Sequence, residues 1–132
     1  MAVPRPGVQE RILLHLRDYI DHADKVEVPF ALSQMGIANA VAIARSNVPR
    51  AIAGMREQGH LIERQAHVTG VSRKRKAYFL TEEGANIAND IWSKVSTQPV
   101  RLVHPDGRSE TLELAQALEA TDLPLRHVDF LR

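Results

Sequence analysis

The stretch Ala44-Arg45-Ser46-Asn47-Val48-Pro49-Arg50-Ala51-Ile52 decides how this chain is read. Val48, Ala51, Ile52 and Met55 recur at the spacing of one apolar helix face, within about 60° of Val48 at 100° per residue. Pro49 interrupts that pattern unless the helix begins just before it. Proline has no N–H to donate and is tolerated in a first turn, where that N–H would have no intrahelical partner. With Ser46 as N-cap, Pro49 is the third helical residue. With Ala44 as cap it is the fifth and deletes an early ladder bond to the carbonyl of Arg45. We expect the later start, with Ser46 as cap or with a distorted first turn, and a helix over about 46–58. Gly59 then stands where a left-handed C-terminal cap belongs.

On this helix Ser46, Asn47, Arg50, Ala53, Gly54 and Glu57 point away from the apolar face. Arg can grip O6 and N7 of guanine, Asn can pair with N6 and N7 of adenine, and Ser can contact phosphate or base. Ala53 and Gly54 are too small to hold a backbone off a groove wall. Pro49 stiffens the turn that presents Asn47 and Arg50.

Upstream, Val8, Ile12, Leu16 and Ile20 are spaced by four, with Leu13 and Tyr19 widening the stripe, which predicts a helix over 8–22. Val26 to Val28 alternates as a short strand before Pro29 ends it, and Ser33 caps a short helix through Val41 that buries Ile37, Ala40 and Val41. Downstream, 61–68 and 76–80 read as two strands around a turn containing Gly70, and Thr81 caps a helix over 82–96 with Ala85, Ala88, Ile91, Trp92 and Val95 inward. Pro99 breaks that helix. Residues 100–104 and 108–111 around Asp106-Gly107 form a second hairpin. Thr111 caps a last helix over 112–120 with Leu114, Ala117 and Leu118 inward, and Asp122, Leu123 and Pro124 stop it. The closing Leu125-Arg-His-Val-Asp-Phe-Leu-Arg132 carries apolar residues that need a partner surface.

Charge separates these regions. The whole chain has a net charge of +1, but residues 44–80 hold eight Lys and Arg against two acids, whereas 1–43 and 81–132 are net acidic. Such concentration points to a polyanionic partner for the middle third. Helix, short strand, helix, helix, basic hairpin and helix is the order of a winged helix-turn-helix, with the bend at 41–46 and the third helix laid in the DNA major groove. Arg73, Lys74, Arg75 and Lys76 place four consecutive cations at the hairpin tip, where a wing (69–76) reaches phosphates or an adjacent narrow minor groove. His67, beside the wing, is a further phosphate-contact candidate.

Residues 32–70 and 73–84, rather less than half the chain, resemble the multiple-antibiotic-resistance-regulator-like (MarR-like) winged helix-turn-helix proteins, particularly archaeal forms; the run Gly59-His-Leu-Ile-Glu-Arg64 and the close Tyr78-Phe-Leu-Thr-Glu-Glu-Gly84 carry the likeness. The resemblance implies a transcriptional regulator that binds double-stranded DNA as a homodimer; a cytoplasmic location is the default expectation from composition. The regulator's recognition residues would be Ser46, Asn47 and Arg50, and its wing Arg73, Lys74, Arg75 and Lys76. The tail departs from the pattern of long dimerising helices. A winged helix with such an appendage also resembles N-terminal modules of some archaeal multidomain ATPases, so a protein-interaction adaptor is the alternative. The fold class expected is α+β, mainly α: a winged helix-turn-helix domain over 1–97 and an extension of hairpin plus helix over 98–132, a candidate dimerisation or interaction element.

Other chemistries lack their residues. There is no cysteine, so no disulfide or thiolate metal site. The six histidines are scattered, and His15 and His22, seven apart on one helix, would stand ~10 Å apart, too far to share an ion. Phosphate-cradling loops and nucleophile elbows are missing, so neither a cofactor nor catalysis is expected. No apolar run approaches the ~18 residues of a membrane span, and the first residues lack the pattern of a signal peptide. A small-molecule effector, which needs no sequence signature, is left open.

Overall fold

The computed structural model of the chain describes residues 7–103, 106–121 and 128–130. Helix α1 (Val8–Leu16) buries Ile12, Leu13 and Leu16, as its stripe requires, and Leu14 besides, whereas Val8, expected inside, is exposed at its first position. The helix does not run on to residue 22. Residues Arg17–His22 wind as a 3-10 segment in which Tyr19, at φ −120° and ψ 23°, leaves helical geometry. The tighter winding moves the apolar stripe round the axis, so Ile20, expected inside, is 43% exposed. Strand β1 (Glu27–Val28) follows, and Pro29 ends it.

Ser33 starts α2 (Gln34–Val41) as expected: its Oγ accepts from the N–H of Gly36 at 3.1 Å. Gly36 has no room for a side chain, since a Cβ there would lie 2.0 Å from the carbonyl oxygen of Phe30. Helix α2 ends at Ala42, which adopts the left-handed conformation at φ 60°. This is a position where a residue with a Cβ is strained.

The start of α3 (Val48–Glu57) corrects the expected cap. Arg45–Asn47 form a 3-10 turn, Asn47 occupies the cap position, and Pro49 is the second helical residue. Ser46 caps nothing. In the 3-10 turn the N–H of Val48 bonds the carbonyl of Arg45, the acceptor an α-helical Pro49 would have left empty. The distorted first turn is therefore the one the chain adopts. At the other end Gly59, at φ 81°, sits in a paired-bond cap: His60 N–H reaches Met55 O at 2.9 Å and Gly59 N–H reaches Arg56 O at 3.0 Å.

Strands β2 (Leu61–Val68) and β3 (Arg75–Leu80) pair antiparallel, from Leu61 opposite Leu80 to Ala66 opposite Arg75, and β1 adds in parallel to β2. Thr81 caps α4 (Glu82–Val95), its Oγ1 accepting from Gly84 N–H at 3.0 Å. The main core gathers Ile12, Leu32, Ile37, Val41, Val48, Ile52, Met55, Ala77, Phe79 and Ala88 from these elements.

The tail is a small sheet with a helix: β4 (Pro99–Val103), β5 (Ser109–Glu113), α5 (Leu114–Thr121) and β6 (Val128–Phe130), in sheet order β5-β4-β6. Thr111 is not a helix cap. It lies in β5 opposite Arg101, and pairing continues to Glu113 opposite Pro99, so the ladder outlasts the expected helix start and α5 begins at Leu114. Strand β6, read from sequence only as apolar residues in need of a partner, pairs antiparallel with β4. A second cluster of Leu14, Val95, Val100, Leu114 and Ala117 packs the tail against α1 and α4. The side chain of Leu118, the stop at Asp122, Leu123 and Pro124, His104, His127 and residues 1–6 lie outside the described residues.

Candidate nucleic-acid interface

Burial of Val48, Ile52 and Met55 fixes which way α3 faces. Ser46, Asn47, Pro49, Arg50, Ala53 and Glu57 are exposed on its other side, and among the described residues no side-chain hydrogen bond or ion pair holds Ser46, Asn47 or Arg50. Their donors and acceptors face solvent. Gly54 does not share that face. It is half-buried toward α1, where a Cβ would meet Nε2 of Gln9 at 3.2 Å, and the same Nε2 donates to Ala51 O at 3.2 Å. At 100° per residue Gly54 lies only about 60° beyond Ala51, on the flank that α1 covers.

The wing is a loop over 69–74 rather than 69–76, with Gly70 at φ 83°; Arg75 and Lys76 belong to β3, opposite Ala66 and Gln65. Its root is tied to β1 by Thr69, whose N–H bonds Val28 O at 3.0 Å and whose Oγ1 donates to Glu27 at 3.1 Å. Arg73, Lys74, Arg75 and Lys76 are all exposed. A cavity of about 660 Å³ opens between the wing and the start of α2. Its charged lining is Arg45, Lys74, Arg75 and Lys76, with no acidic side chain, over an apolar floor that includes Phe30, Met35 and Val71. Arg45 belongs to the basic segment but was not expected as a site residue; its place directly before the helix start was the available signal.

Two other cations of that segment have different work. Arg64 lies over the Phe79 ring, 4.5 Å from its centroid, and donates to Ala23 O at 2.8 Å and Lys25 O at 2.7 Å. It closes the carbonyl end of the 3-10 segment and is spent on the fold. Arg56 pairs with Glu63 at 3.2 Å. Tyr78, 1% exposed, receives a bond from Gln34 and donates to Glu63, each at 2.9 Å. Burial raises the Tyr78 pKa above its ordinary value, which keeps its hydroxyl a donor. His67 is exposed on β2 opposite Glu27 of β1, and is not among the side chains lining the cavity.

Among the described residues no three His, Cys, Asp or Glu side chains gather. The Tyr19 ring stands between His15 and His22, with centroids 5.6 and 5.8 Å away. His15 Nε2 lies 2.8 Å from Ala31 O, as a neutral imidazole donating from that nitrogen would. Among the described residues no helix is long and apolar enough to cross a membrane.

A helical pair bent at Ala42, a third helix with one polar face free, and a two-stranded wing closing on a fourth helix define the winged helix-turn-helix fold. The solved structures that share it include a zinc-responsive MarR family member, ZitR of Lactococcus lactis, 22% identical over 70% of this chain and 55% of that one, with a TM-score of 0.50. A mutant of MepR from S. aureus is 16% identical, covering 68% of this chain and 58% of its own, with a TM-score of 0.51. A MepR–DNA complex from the same source is 16% identical over 67% and 65%, also at 0.51. What these proteins share with the chain is the fold, and the chain spans between about half and two thirds of their length. No protein-family model and no curated protein matches the sequence.

Proposed function

We propose that the chain is a DNA-binding transcriptional regulator that lays α3 in the major groove and sets its wing on the backbone or the neighbouring minor groove. One observation carries this reading: the turn that leads into the free polar face of α3 contributes Arg45 to a groove whose charged lining, Arg45, Lys74, Arg75 and Lys76, is wholly cationic. Asn47 and Arg50 are the base readers, Ser46 a phosphate or base contact, Pro49 the residue that fixes their backbone, and the wing cations with His67 the phosphate contacts. The MepR–DNA complex supports the reading through its shared fold. Residues 1–97 form the DNA-binding unit, and 98–132 with α4 supply contacts for a homodimer, since a single short module gives little specific affinity.

Titration with mixed-sequence duplex DNA at low and moderate salt tests the proposal. Binding should weaken steeply with salt, and replacing Arg73, Lys74, Arg75 and Lys76 with Ala should flatten the log–log slope by up to about 0.9 for each phosphate no longer neutralised. No binding at low salt would reject DNA as the partner and favour the adaptor. Sedimentation should return twice the 14.7 kDa chain mass, and a monomer alone would reject the dimer.

A further inference from the structure

Glu63 sits at the foot of the wing with its side chain 19% exposed. One carboxylate oxygen pairs with Nη1 of Arg56 on α3 at 3.2 Å. The other accepts from the Tyr78 hydroxyl at 2.9 Å and lies 3.8 Å from Nζ of Lys76 on β3. Through that hydroxyl the carboxylate is tied to Gln34 of α2. A buried tyrosine therefore holds Glu63 in place, while its two cationic partners stay about half exposed, at 47% and 55%. Ion pairs this exposed contribute little to folding. Their effect falls on what the two cations can do at the surface.

We propose that Glu63 is a positioning residue that competes with the DNA backbone for Arg56 and Lys76, leaving Lys76 the weakest phosphate contact of the wing, and so limits sequence-independent attraction. The inference rests on the reading of α3 and the wing as the DNA interface. A phosphate approaching either cation meets a carboxylate that already neutralises part of its charge, and the duplex then releases fewer counterions on binding. The Asn47 and Arg50 face has no such competitor, so base reading carries a larger share of the total.

The test compares the full chain with Glu63→Gln, which keeps the shape and still accepts from Tyr78. With mixed-sequence duplex the log–log salt slope should steepen by about 0.9 per cation released. For two cations, the ratio of affinities between about 50 and about 200 mM salt grows roughly tenfold. In an Arg56→Ala, Lys76→Ala background the same change should leave the slope unaltered. Equal steepening there would show that Glu63 repels phosphate directly, and an unchanged slope in the single variant would remove it from control of the interface; either overturns the inference. If the unaltered chain fails to bind duplex, the DNA reading fails separately. Heparin, a flexible polyanion that needs no groove, then decides: Glu63→Gln eluting at higher salt than the unaltered chain supports the latch, and equal elution overturns it.

Discussion

Pro49 cannot donate to the carbonyl of Arg45, and the chain supplies the N–H of Val48 instead by tightening one turn to 3-10 geometry. The residue that seemed to oppose a helix marks where it starts, one residue later than a Ser46 cap would place it. Local chemistry of this kind was legible in the sequence. Ser33, Thr81 and Gly59 act within a few residues of themselves, and each sits where its side chain or its lack of one demands. Arg64 was not legible as structural, because its acceptors at Ala23 and Lys25 lie some forty residues away in the chain. A charge count treats it as one more cation for DNA. Arg50, by contrast, keeps its guanidinium in solvent. If it reads a base, Arg50→Ala should weaken specific binding by about 1–3 kcal/mol and nonspecific binding by much less, measured by competition between selected and mixed duplexes. Equal losses on both would make it a phosphate contact only.

At the scale of elements, the joint between α3 and α4 is closely packed. Thr81 donates from Oγ1 to Gly59 O at 2.6 Å and from N–H to His60 O at 3.0 Å. A Cβ on Gly84 would lie 2.0 Å from that same His60 oxygen. Gly84→Ala should therefore cost about 1–3 kcal/mol in thermal or denaturant unfolding, as overpacking does. A loss under about 0.5 kcal/mol would show that the joint gives way freely. Periodicity located five helices and two hairpins, yet it carried the first helix too far and started the last one too early. The 3-10 wind over Arg17–His22 occurs where Arg64 caps the carbonyls behind it, and the delayed start of α5 occurs where β5 still has Pro99 and Val100 to pair with. Both are decided by partners distant in sequence, which a helical repeat does not encode.

Across the molecule, the second cluster places Leu14 of α1 beside Val100, Leu114 and Ala117 of the tail. Apolar spacing predicted that Leu114 and Ala117 face inward but did not point to Leu14 and Val100 as the residues they meet. The same helix carries His15, whose pKa is lowered from the ordinary 6.5 by burial, against the opposing pull of the Ala31 carbonyl and Asp18. The folded protein thus prefers neutral His15. Its contribution to stability is complete above pH 6.5 and is lost as pH falls through the lower folded value. Unfolding measured across that range should show a steeper acid loss for the unaltered chain than for His15→Gln; parallel curves would mean that His15 titrates alike in both states.

The two ends of α3 are held unequally. Beyond Met55 its carbonyls are closed by Gly59 and His60, which are in turn bonded to Thr81. Before Val48 there is one exposed 3-10 turn, reached through the strained backbone of Ala42. The helix is therefore a cantilever, clamped at its far end by bonds to another element and held at the tip that bears Asn47 by its own turn, Pro49 and the buried Val48. Amide exchange should report the gradient, slow at His60 and fast at Asn47. Uniform protection along α3 would mean that the tip is as rigid as the clamp.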